Sequence, residues 1–505
     1  MKRLPILVIL IAGLFAASCS KKAPEFVNNI PDNAFAVVSM HPQQIFDKGQ
    51  LSTIESVKKE ITDEFILSMI ENPTSSGLML NEYSYVFVYF IDDNPIVGFI
   101  SGMADKGDFN AVIDKIKEKA GGETVDLEGI SIYSPDEEAT LAWNDDQVLF
   151  LGSPQYEYTA EEMNAEITRL FNLEKENAIT SIVNFNDFTG KMKDLNVWVS
   201  SDEVKKLMEK VDAMNGPDIK FPLEFPNNYA QIFFEFVDGA MYMHSESHFS
   251  EEVEKNVESV MITKKNINDD LLEITPGGDL LLGLAFSMDL EKLQEMMEKV
   301  GTDNLPDIAG KVEEVTGVPA DEIWNALNGD FVLAINGVED GGMIPVEALI
   351  GIGLKNDEVQ KKIMGTVGGM VPIEDQGDFF LINTNGIEIY SGIVKDTWVI
   401  TNTSGYKDAI SGSGLDASLK DSKFMDYAGG GMGMYMNLDL STYPAALQSM
   451  MSQDAKTAKM FELITGSLTS LGIEAQQYEN NLTLLTAKKD ENSLYTLLKL
   501  ADELD

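Results

Sequence analysis

The sequence is poor in the residues that form cross-links and anion sites. Its 505 residues include one cysteine, three histidines and two arginines. A single thiol cannot form a disulfide within the chain, so apolar packing must hold the fold together. Arg3 and Arg169 are the only arginines. Because the guanidinium group is suited to bidentate binding of phosphate and carboxylate, the composition disfavours an enzyme that acts on anions.

Short catalytic motifs are also missing. The sequence contains no GxSxG, GxxxxGK, HExxH or CxxC, and no GxGxxG between a strand and a helix. These patterns mark nucleophile, nucleotide, zinc and redox sites, so no cofactor is expected and a non-enzymatic role is favoured. An envelope or glycan hydrolase that uses paired carboxylates stays open as an alternative, since the chain has 83 acidic side chains and such enzymes need only two.

The charge balance is strongly negative. The chain has 37 basic and 83 acidic side chains, a net charge of −46. Nucleic acids and bare anionic lipid surfaces are bound mainly through lysine and arginine, so nucleic acid is not expected as a partner. Solubility and mutual repulsion between molecules crowded at a membrane account for the acidity.

The N-terminus predicts a lipoprotein signal. Residues 1–18 have a basic start at Lys2 and Arg3, a short apolar run and small residues directly before Cys19. The apolar run is shorter than the roughly 20 residues of a spanning helix, and this favours a cleaved signal peptide. Cys19 would then begin a lipidated tether, residues 19–28, with two acyl signals that suffice for stable anchoring. A serine after the cysteine, here Ser20, resembles the pattern of lipoproteins sent to the outer membrane. Lys21 and Lys22, which follow it, favour the periplasmic face.

Two stretches predict an internal duplication. IPDNAFAVVSM at 30–40 and ITPGGDLLLGLAFSM at 274–288 both run from an isoleucine through a proline and a turn to an apolar strand that ends in Ser-Met. Similar elements follow both stretches in the same order, which is how repeats are identified. We therefore expect an α+β fold of two tandem related lobes, each a mainly antiparallel sheet packed with helices. The first repeat is predicted at 29–268 and the second at 269–505.

Several local patterns refine this expectation. Turn residues at 92–95 predict a hairpin, and Asp108 is the expected N-cap of a helix that ends before Gly121. Within the duplication, Ile387–Ser391 aligns with Ile130–Ser134, and Trp398–Thr401 aligns with Val148–Leu151.

A helix with one inward face is expected at 51–71, because its apolar residues recur at helical spacing. Helices are also expected at 202–214, with Asp202 as N-cap, at 251–261 and at 307–316.

Two groups of side chains could hold a metal. Thioethers suit copper(I), and Met432, Met434 and Met436 alternate along one strand. The alternative is that these methionines form the buried face of a sheet.

The second group alternates along another strand, namely His244, Glu246 and His248. Adjacent members could share a metal ion, although the two histidines are about 13 Å apart along an extended strand. The alternative is a solvated polar face of a hairpin.

A lipidated cysteine, a short tether, a proline before the first strand and a duplicated α+β body resemble an uncharacterised family of large Bacteroidetes lipoproteins, known only as a domain of unknown function. The resemblance implies a localisation and a fold, and it assigns no catalytic residues. We expect a lipid-anchored protein of the outer membrane, on its periplasmic face, with a binding or scaffolding role toward an unknown envelope protein or ligand. Metal handling by the methionine and histidine groups is a further alternative.

Overall fold

The structure is a computed structural model that describes most of the chain after residue 22. The described residues are 23–55, 58, 70–91, 94–134, 139–153, 158–201, 228–250, 262–300, 313–314, 316–338, 345–384 and 386–504. The signal peptide, Cys19 and the predicted helices at 202–214 and 251–261 lie outside them, as do most residues of the helices predicted at 51–71 and 307–316. Among the described helices, none has the length and apolar character that a membrane crossing requires.

The chain divides into two compact units. The first is drawn from Met1–Lys210 with Asn227–Glu235, and the second from Val211–Pro226 with Phe236–Asp505. Helices and antiparallel strands occur in both, so the predicted α+β class is confirmed.

The sheet of the first unit is antiparallel in all its described pairings. Its strands are β1 (Ala36–Met40), β2 (Ser84–Ile91), β3 (Asn94–Gly102), β4 (Thr124–Leu127), β5 (Ile130–Tyr133), β6 (Ala139–Trp143), β7 (Gln147–Gly152), β8 (Leu195–Ser200) and β9 (Tyr229–Val237). They pair in the order β9-β8-β1-β2-β3-β7-β6-β5-β4. The described helices of this unit are α1 (Pro42–Gly49), α2 (Lys106–Ala120), α3 (Ala160–Phe171) and α4 (Val183–Lys191).

The second unit has a longer antiparallel sheet. Its strands are β10 (Ala240–His248), β11 (Leu280–Ser287), β12 (Leu327–Gly337), β13 (Val346–Leu354), β14 (Ile373–Asp375), β15 (Phe379–Thr384), β16 (Ile387–Val394), β17 (Thr397–Thr401), β18 (Met432–Asn437), β19 (Leu468–Ala475) and β20 (Glu479–Thr486). They pair in the order β10-β20-β19-β18-β11-β12-β13-β17-β16-β15-β14. The described helices are α5 (Asp269–Glu273), α6 (Leu290–Val300), α7 (Ala320–Ala326), α8 (Glu358–Gly368), α9 (Ser404–Asp408), α10 (Ala445–Met451), α11 (Ala455–Ser467) and α12 (Ser493–Leu504).

The two strand orders have the same succession. Strands β1 to β9 in the first unit take the places that β11 to β19 take in the second. By its place in the sheet β17 corresponds to β7, in agreement with the alignment of Trp398–Thr401 with Val148–Leu151. The alignment of Ile387–Ser391 with Ile130–Ser134 is one strand out, because β16 takes the place of β6 and β15 takes that of β5.

Each unit has its own apolar core on one face of its sheet. In the first unit Trp198 of β8 is fully buried, and Phe185 of α4 meets it edge-on with ring centroids 5.5 Å apart. In the second unit Phe424 and Leu271 pack against the face that carries Tyr435 of β18. Full burial of one such side chain contributes roughly 1.5–3 kcal/mol, so these clusters hold a chain without cross-links.

Local capping sets the start of α2. The carboxylate of Asp105 accepts from the backbone N–H of Asp108 and makes Asp105 the N-cap, so the expectation that Asp108 caps the helix is wrong. Asp108 instead lies in the first turn, where a carboxylate is favoured by the helix dipole. The helix ends at Gly121 with positive φ, as expected.

Candidate functional site

The candidate site is an open cleft of about 660 Å³ in the first unit. It lies where the segment before β1, the end of β2 and the C-terminal end of α3 meet. Its lining comprises Pro31, Asp32, Asn33, Tyr89, Phe90, Ile91, Glu166, Arg169, Asn172, Leu173, Glu174 and Asn177.

Helix α3 presents two charged side chains to this cleft. It begins with a capping box, in which Thr159 and Glu162 each accept from the backbone N–H of the other. The apolar face of the helix is buried through residues at helical spacing, Met163, Ile167 and Leu170. With that face directed into the core, Glu166 and Arg169, three residues apart, meet on the cleft side of the helix.

Glu166 is held by three hydrogen bonds. Arg169 donates from Nε to Oε2 at 2.8 Å and from Nη2 to Oε1 at 2.6 Å, which is a bidentate fork. The hydroxyl of Tyr89, a residue that is only 1% exposed, donates to Oε1 at 2.7 Å. Burial, followed by the charge of Glu166, raises the pKa of Tyr89 far above its usual range, so the phenol stays protonated as the donor.

Arg169 is the lone arginine of the chain after the predicted signal peptide, and its guanidinium binds the carboxylate of Glu166. Its hydrogen bond to Glu166 raises the pKa of the guanidinium. The side chain remains 45% exposed, so donors that the fork does not use face the cleft. A guanidinium has five N–H donors, and the fork engages two of them.

The charge of the cleft selects against anions. One cationic and three anionic side chains line it, a net charge of −2 when all are ionised. The amides of Asn33, Asn172 and Asn177 add both donors and acceptors, and Phe90 and Ile91 add apolar surface. A mixture of this kind can bind a neutral ligand rich in hydroxyl groups.

The geometry does not favour acid catalysis by Glu166. A general acid needs a proton to give, whereas Glu166 accepts from a guanidinium and from a phenol at once. The cleft therefore suits binding better than hydrolysis by paired carboxylates.

The predicted methionine group is not the buried face of its strand. On β18 the buried residues are Gly433 and Tyr435, while Met432, Met434 and Met436 are half-buried on the other face. The physical reason is close packing at Gly433, where an added Cβ would lie 2.5 Å from the carbonyl oxygen of Tyr427. The core expectation for these methionines is therefore wrong.

The methionine and histidine groups lie on opposite faces of the sheet in the second unit. Directly paired residues share a face, and the pairs Met434↔Ile473, Ile473↔Leu482 and Leu482↔Met243 carry the methionine face to β10. Successive residues of a strand point to opposite faces, so His244 lies on the other side. The two predicted metal groups therefore do not share a face of the sheet.

Within the predicted group His244, Glu246 and His248, the carboxylate contacts both imidazoles. His244 Nε2 lies 2.9 Å from Glu246 Oε1, and His248 Nε2 lies 3.2 Å from Glu246 Oε2. The two rings contact different oxygens of this carboxylate, so these contacts do not place the two imidazoles beside each other. The third histidine, His41, is distant in sequence and caps α1 by accepting from the N–H of Gln44.

Sequence reasoning missed the cleft, although one signal for it was present. Arg169 is the only arginine after the predicted signal peptide, and Glu166 stands at the helical spacing for an ion pair with it. Tyr89 has no such signal, since it comes from a strand 77 residues earlier than Glu166.

Comparisons with known proteins give a family and no activity. A family model described as Domain of unknown function (DUF4836) matches residues 26–494. A search of curated proteins finds no match. Among solved structures, crystal forms III, I and IV of TP0453 are similar to 48%, 50% and 50% of this chain and to 89%, 90% and 91% of that chain. Their sequence identities are 9%, 9% and 10%, with TM-scores of 0.28, 0.28 and 0.29.

Proposed function

Because the chain belongs to the family Domain of unknown function (DUF4836), its role has to be inferred from its own residues, and we propose that it is a non-enzymatic binding protein of the cell envelope. It is anchored by lipid at Cys19, consists of two tandem related lobes, and binds a neutral, hydroxyl-rich ligand such as a glycan in the cleft beside Arg169. The cleft is the observation that carries the binding role.

The anchor is supported by the N-terminal sequence. A basic start, a short apolar run and small residues before the single cysteine are the pattern of a lipoprotein signal. Two acyl chains on Cys19 would hold the protein stably at a membrane. Ser20 and the following lysines favour the periplasmic face of the outer membrane, and the resemblance described above favours a Bacteroidetes origin.

The tandem relation of the two lobes is supported by strand order as well as by sequence. Adding ten to each strand number of the first unit, from β9 to β4, gives the strand order of the second unit from β19 to β14. In each unit, nine strands pair in an order that breaks twice from their order along the sequence. Such an order is hard to obtain twice without common origin.

Binding of a neutral polar ligand is supported by the composition of the cleft. The fixed Glu166 offers acceptors, the exposed part of Arg169 offers donors, and Phe90 offers a half-buried ring beside them. An anionic ligand would meet the carboxylates of Asp32 and Glu174 as well as that of Glu166. Like charges at such distances are repulsive.

The experiment is a binding screen of the full-length protein in detergent against an array of neutral and acidic oligosaccharides, followed by calorimetry. Asn33→Leu and Asn177→Leu change exposed lining residues without touching the core. Each lost hydrogen bond contributes about 0.5–1.5 kcal/mol, which corresponds to roughly a 2–13-fold weaker Kd.

The matched control is Asn480→Leu, at an exposed position of the second unit. We expect binding of neutral glycans that both cleft variants weaken and the control leaves unchanged. Preference for acidic glycans, or equal binding by all four proteins, would show that the cleft is not the site.

A further inference from the structure

The sheet of the first unit ends in an edge strand, β4, whose outer side is open. In the described part of the chain β4 pairs only with β5, and no described strand pairs with its other side. Three of its four residues are exposed, and so are the residues before and after it, at 121–123 and 128–129. Such an edge leaves a row of backbone N–H and C=O groups available to a further strand.

The turn after β4 determines which backbone groups face outward. Residues 128–129 have φ angles of 56° and 85°, so a two-residue turn of type I′ joins β4 to β5. Such a turn makes a hydrogen-bonded pair of the residues on either side of it, here Leu127 and Ile130. Because hydrogen-bonded and non-hydrogen-bonded pairs alternate in an antiparallel ladder, Thr124 and Asp126 direct their N–H and C=O groups away from β5.

Two apolar side chains of β4 are exposed on one face of the sheet. Val125 and Leu127 are 55% and 37% exposed. They lie opposite Ile132 and Ile130 of β5, which are buried in the core. Since directly paired residues share a face, Val125 and Leu127 continue the core face beyond the part that the core covers. A further strand beside β4 would remove apolar surface from water at this point.

Acidic side chains surround the same edge. Asp126 lies on the other face of β4, and Glu123 and Glu128 are exposed immediately before and after the strand. Residues 123–128 thus have three carboxylates and no basic side chain, and the nearest lysines in the sequence lie in the last turn of α2. The Oδ1 atom of Asp126 accepts from the N–H of Gly129 at 3.3 Å. A carboxylate accepts several hydrogen bonds, so this contact leaves its charge available to a cation.

We propose that β4 binds an extended segment of another polypeptide in which basic and apolar residues alternate. When a strand is added to a sheet edge, backbone hydrogen bonds give the affinity and alternate side chains give the specificity. Partner residues opposite Val125 and Leu127 share the apolar face, and those opposite Thr124 and Asp126 share the acidic face. Charge complementarity makes the second set lysine or arginine. A second copy of this chain would bring three more carboxylates to the edge and is therefore repelled.

The corresponding edge of the second unit lacks one of these features. In the described part of the chain its last strand, β14, pairs only with β15, and Glu374 and Asp375 are exposed there. The one apolar residue of β14, Ile373, is half-buried. This edge therefore presents carboxylates without an exposed apolar pair, which makes it the comparison for β4.

The test measures binding of fluorescently labelled octapeptides to the full-length protein in non-ionic detergent by fluorescence anisotropy. The probe alternates lysine and valine. One comparison peptide has the same residues in two blocks, and another has glutamate in place of lysine. We expect the probe to bind about tenfold more tightly than either comparison peptide, since only the probe can satisfy the edge and both faces together. Equal binding of the probe and the block peptide would overturn the proposal, because charge attraction alone would then account for it.

Backbone N-methylation of the probe tests the predicted pairing. Lysines opposite Thr124 and Asp126 should donate their backbone N–H groups to β4, because the backbone groups of these two residues face outward. Methylation of lysine nitrogens should weaken binding by about 2–13-fold for each hydrogen bond lost. Methylation of valine nitrogens should leave binding unchanged. The reverse result would overturn the proposed alternation.

Two pairs of variants locate the peptide on the protein. Val125→Lys places a positive charge on the apolar face of β4 and should abolish binding. Its matched control, Val183→Lys, makes the same change at a valine of α4 that is 79% exposed in the same unit. Asp126→Asn should weaken binding by about 1.4–5-fold, as expected for an exposed ion pair, whereas Asp375→Asn in β14 should have no effect. Equal effects within either pair would overturn the proposal.

Sedimentation of the wild type tests the other occupant of this edge. We expect no dimer that depends on β4. A dimer that Val125→Lys dissociates would overturn the proposal, because a second copy of the chain would then occupy the edge.

Discussion

Gly98 of β3 lies beneath the ring of Phe87 in the core of the first unit, and Gly98→Ala tests how tightly that core is packed. A Cβ added to Gly98 would lie 2.2 Å from Phe87 Cζ and 2.5 Å from Cε2. Carbon atoms in ordinary contact are about 3.5–4.0 Å apart, so the ring would have to move by more than 1 Å. Phe87 is fully buried and stacks on Tyr89 with centroids 5.9 Å apart, which leaves it little freedom.

The magnitude follows from two opposing effects. Overpacking a core by one methyl group costs about 1–3 kcal/mol, whereas replacing glycine by alanine within an element gains about 0.5–1 kcal/mol from the unfolded chain. We expect Gly98→Ala to lower the free energy of unfolding by about 1–2 kcal/mol. The matched control is Gly190→Ala in α4 of the same unit, where no atom lies within 4 Å of the added Cβ. That variant should be more stable than the wild type by about 0.5–1 kcal/mol.

The assay is urea denaturation of the full chain followed by tryptophan fluorescence. Replacing Trp324 and Trp398 by phenylalanine leaves Trp143 and Trp198, which are both buried in the first unit. The reasoning is refuted if Gly98→Ala is as stable as Gly190→Ala, because the ring of Phe87 would then move aside at no cost.

Two further predictions concern capping and ionisation in the first unit. Thr159→Ala removes the hydroxyl of the α3 capping box and should destabilise the unit by about 1 kcal/mol in the same denaturation assay. The backbone and hydroxyl contacts of Thr159 lower the pKa of Glu162, so NMR titration should show that pKa rising in the variant. An unchanged Glu162 pKa would contradict the box. Burial, and then the charge of Asp194, raises the pKa of Tyr83 to about 12. The neutral phenol is thus the favoured form, and its stabilising contribution is present below the ordinary pKa of 10 and is lost as pH rises through about 12. Asp194→Asn should lower the pKa of Tyr83 but leave it above 10, since burial is the larger cause. The measurement is the ultraviolet difference spectrum between the wild type and Tyr83→Phe. A Tyr83 that titrates at 10 would show that its side chain is not buried.

Local patterns in the sequence are sufficient to predict most described strands, because alternation and turn residues act over a few residues. The hairpin between β2 and β3 follows from the turn at 92–95, and the class of fold follows from the order of elements. The start of α2 shows the limit of such patterns. Asp105 and Asp108 are both good caps three residues apart, and only the tertiary start of the helix selects Asp105.

The buried face of β18 could not be chosen from alternation alone. Both sets of alternate residues include apolar side chains, and the larger methionines suggest a core. The structure buries Gly433 and Tyr435 instead, because a residue without a Cβ lets the backbone of Tyr427 approach the strand. Glycine in a strand indicates close backbone approach, so Gly433 is the residue that indicates the buried face of β18.

Long-range contacts account for what sequence patterns could not predict. The cleft depends on Tyr89, Glu166 and Arg169, of which only the last two are close in sequence. The histidine group was found from its alternation, but Asn481, whose amide oxygen lies 2.7 Å from His244 Nδ1, is 237 residues away in the sequence. Pairing of β10 with β20 brings them together, and no local property of either strand indicates it.

The lipid anchor at Cys19 is tested most directly by the intact mass of the protein extracted with detergent from its own membrane. We predict a mature chain that begins at Cys19, with a diacylglyceryl group on the thiol and an acyl chain on the new amino group, and we predict that Cys19→Ser abolishes this modification. A mature chain with an unmodified Cys19, or one whose N-terminus lies elsewhere, would contradict the anchor and with it the proposed place of the protein at the envelope.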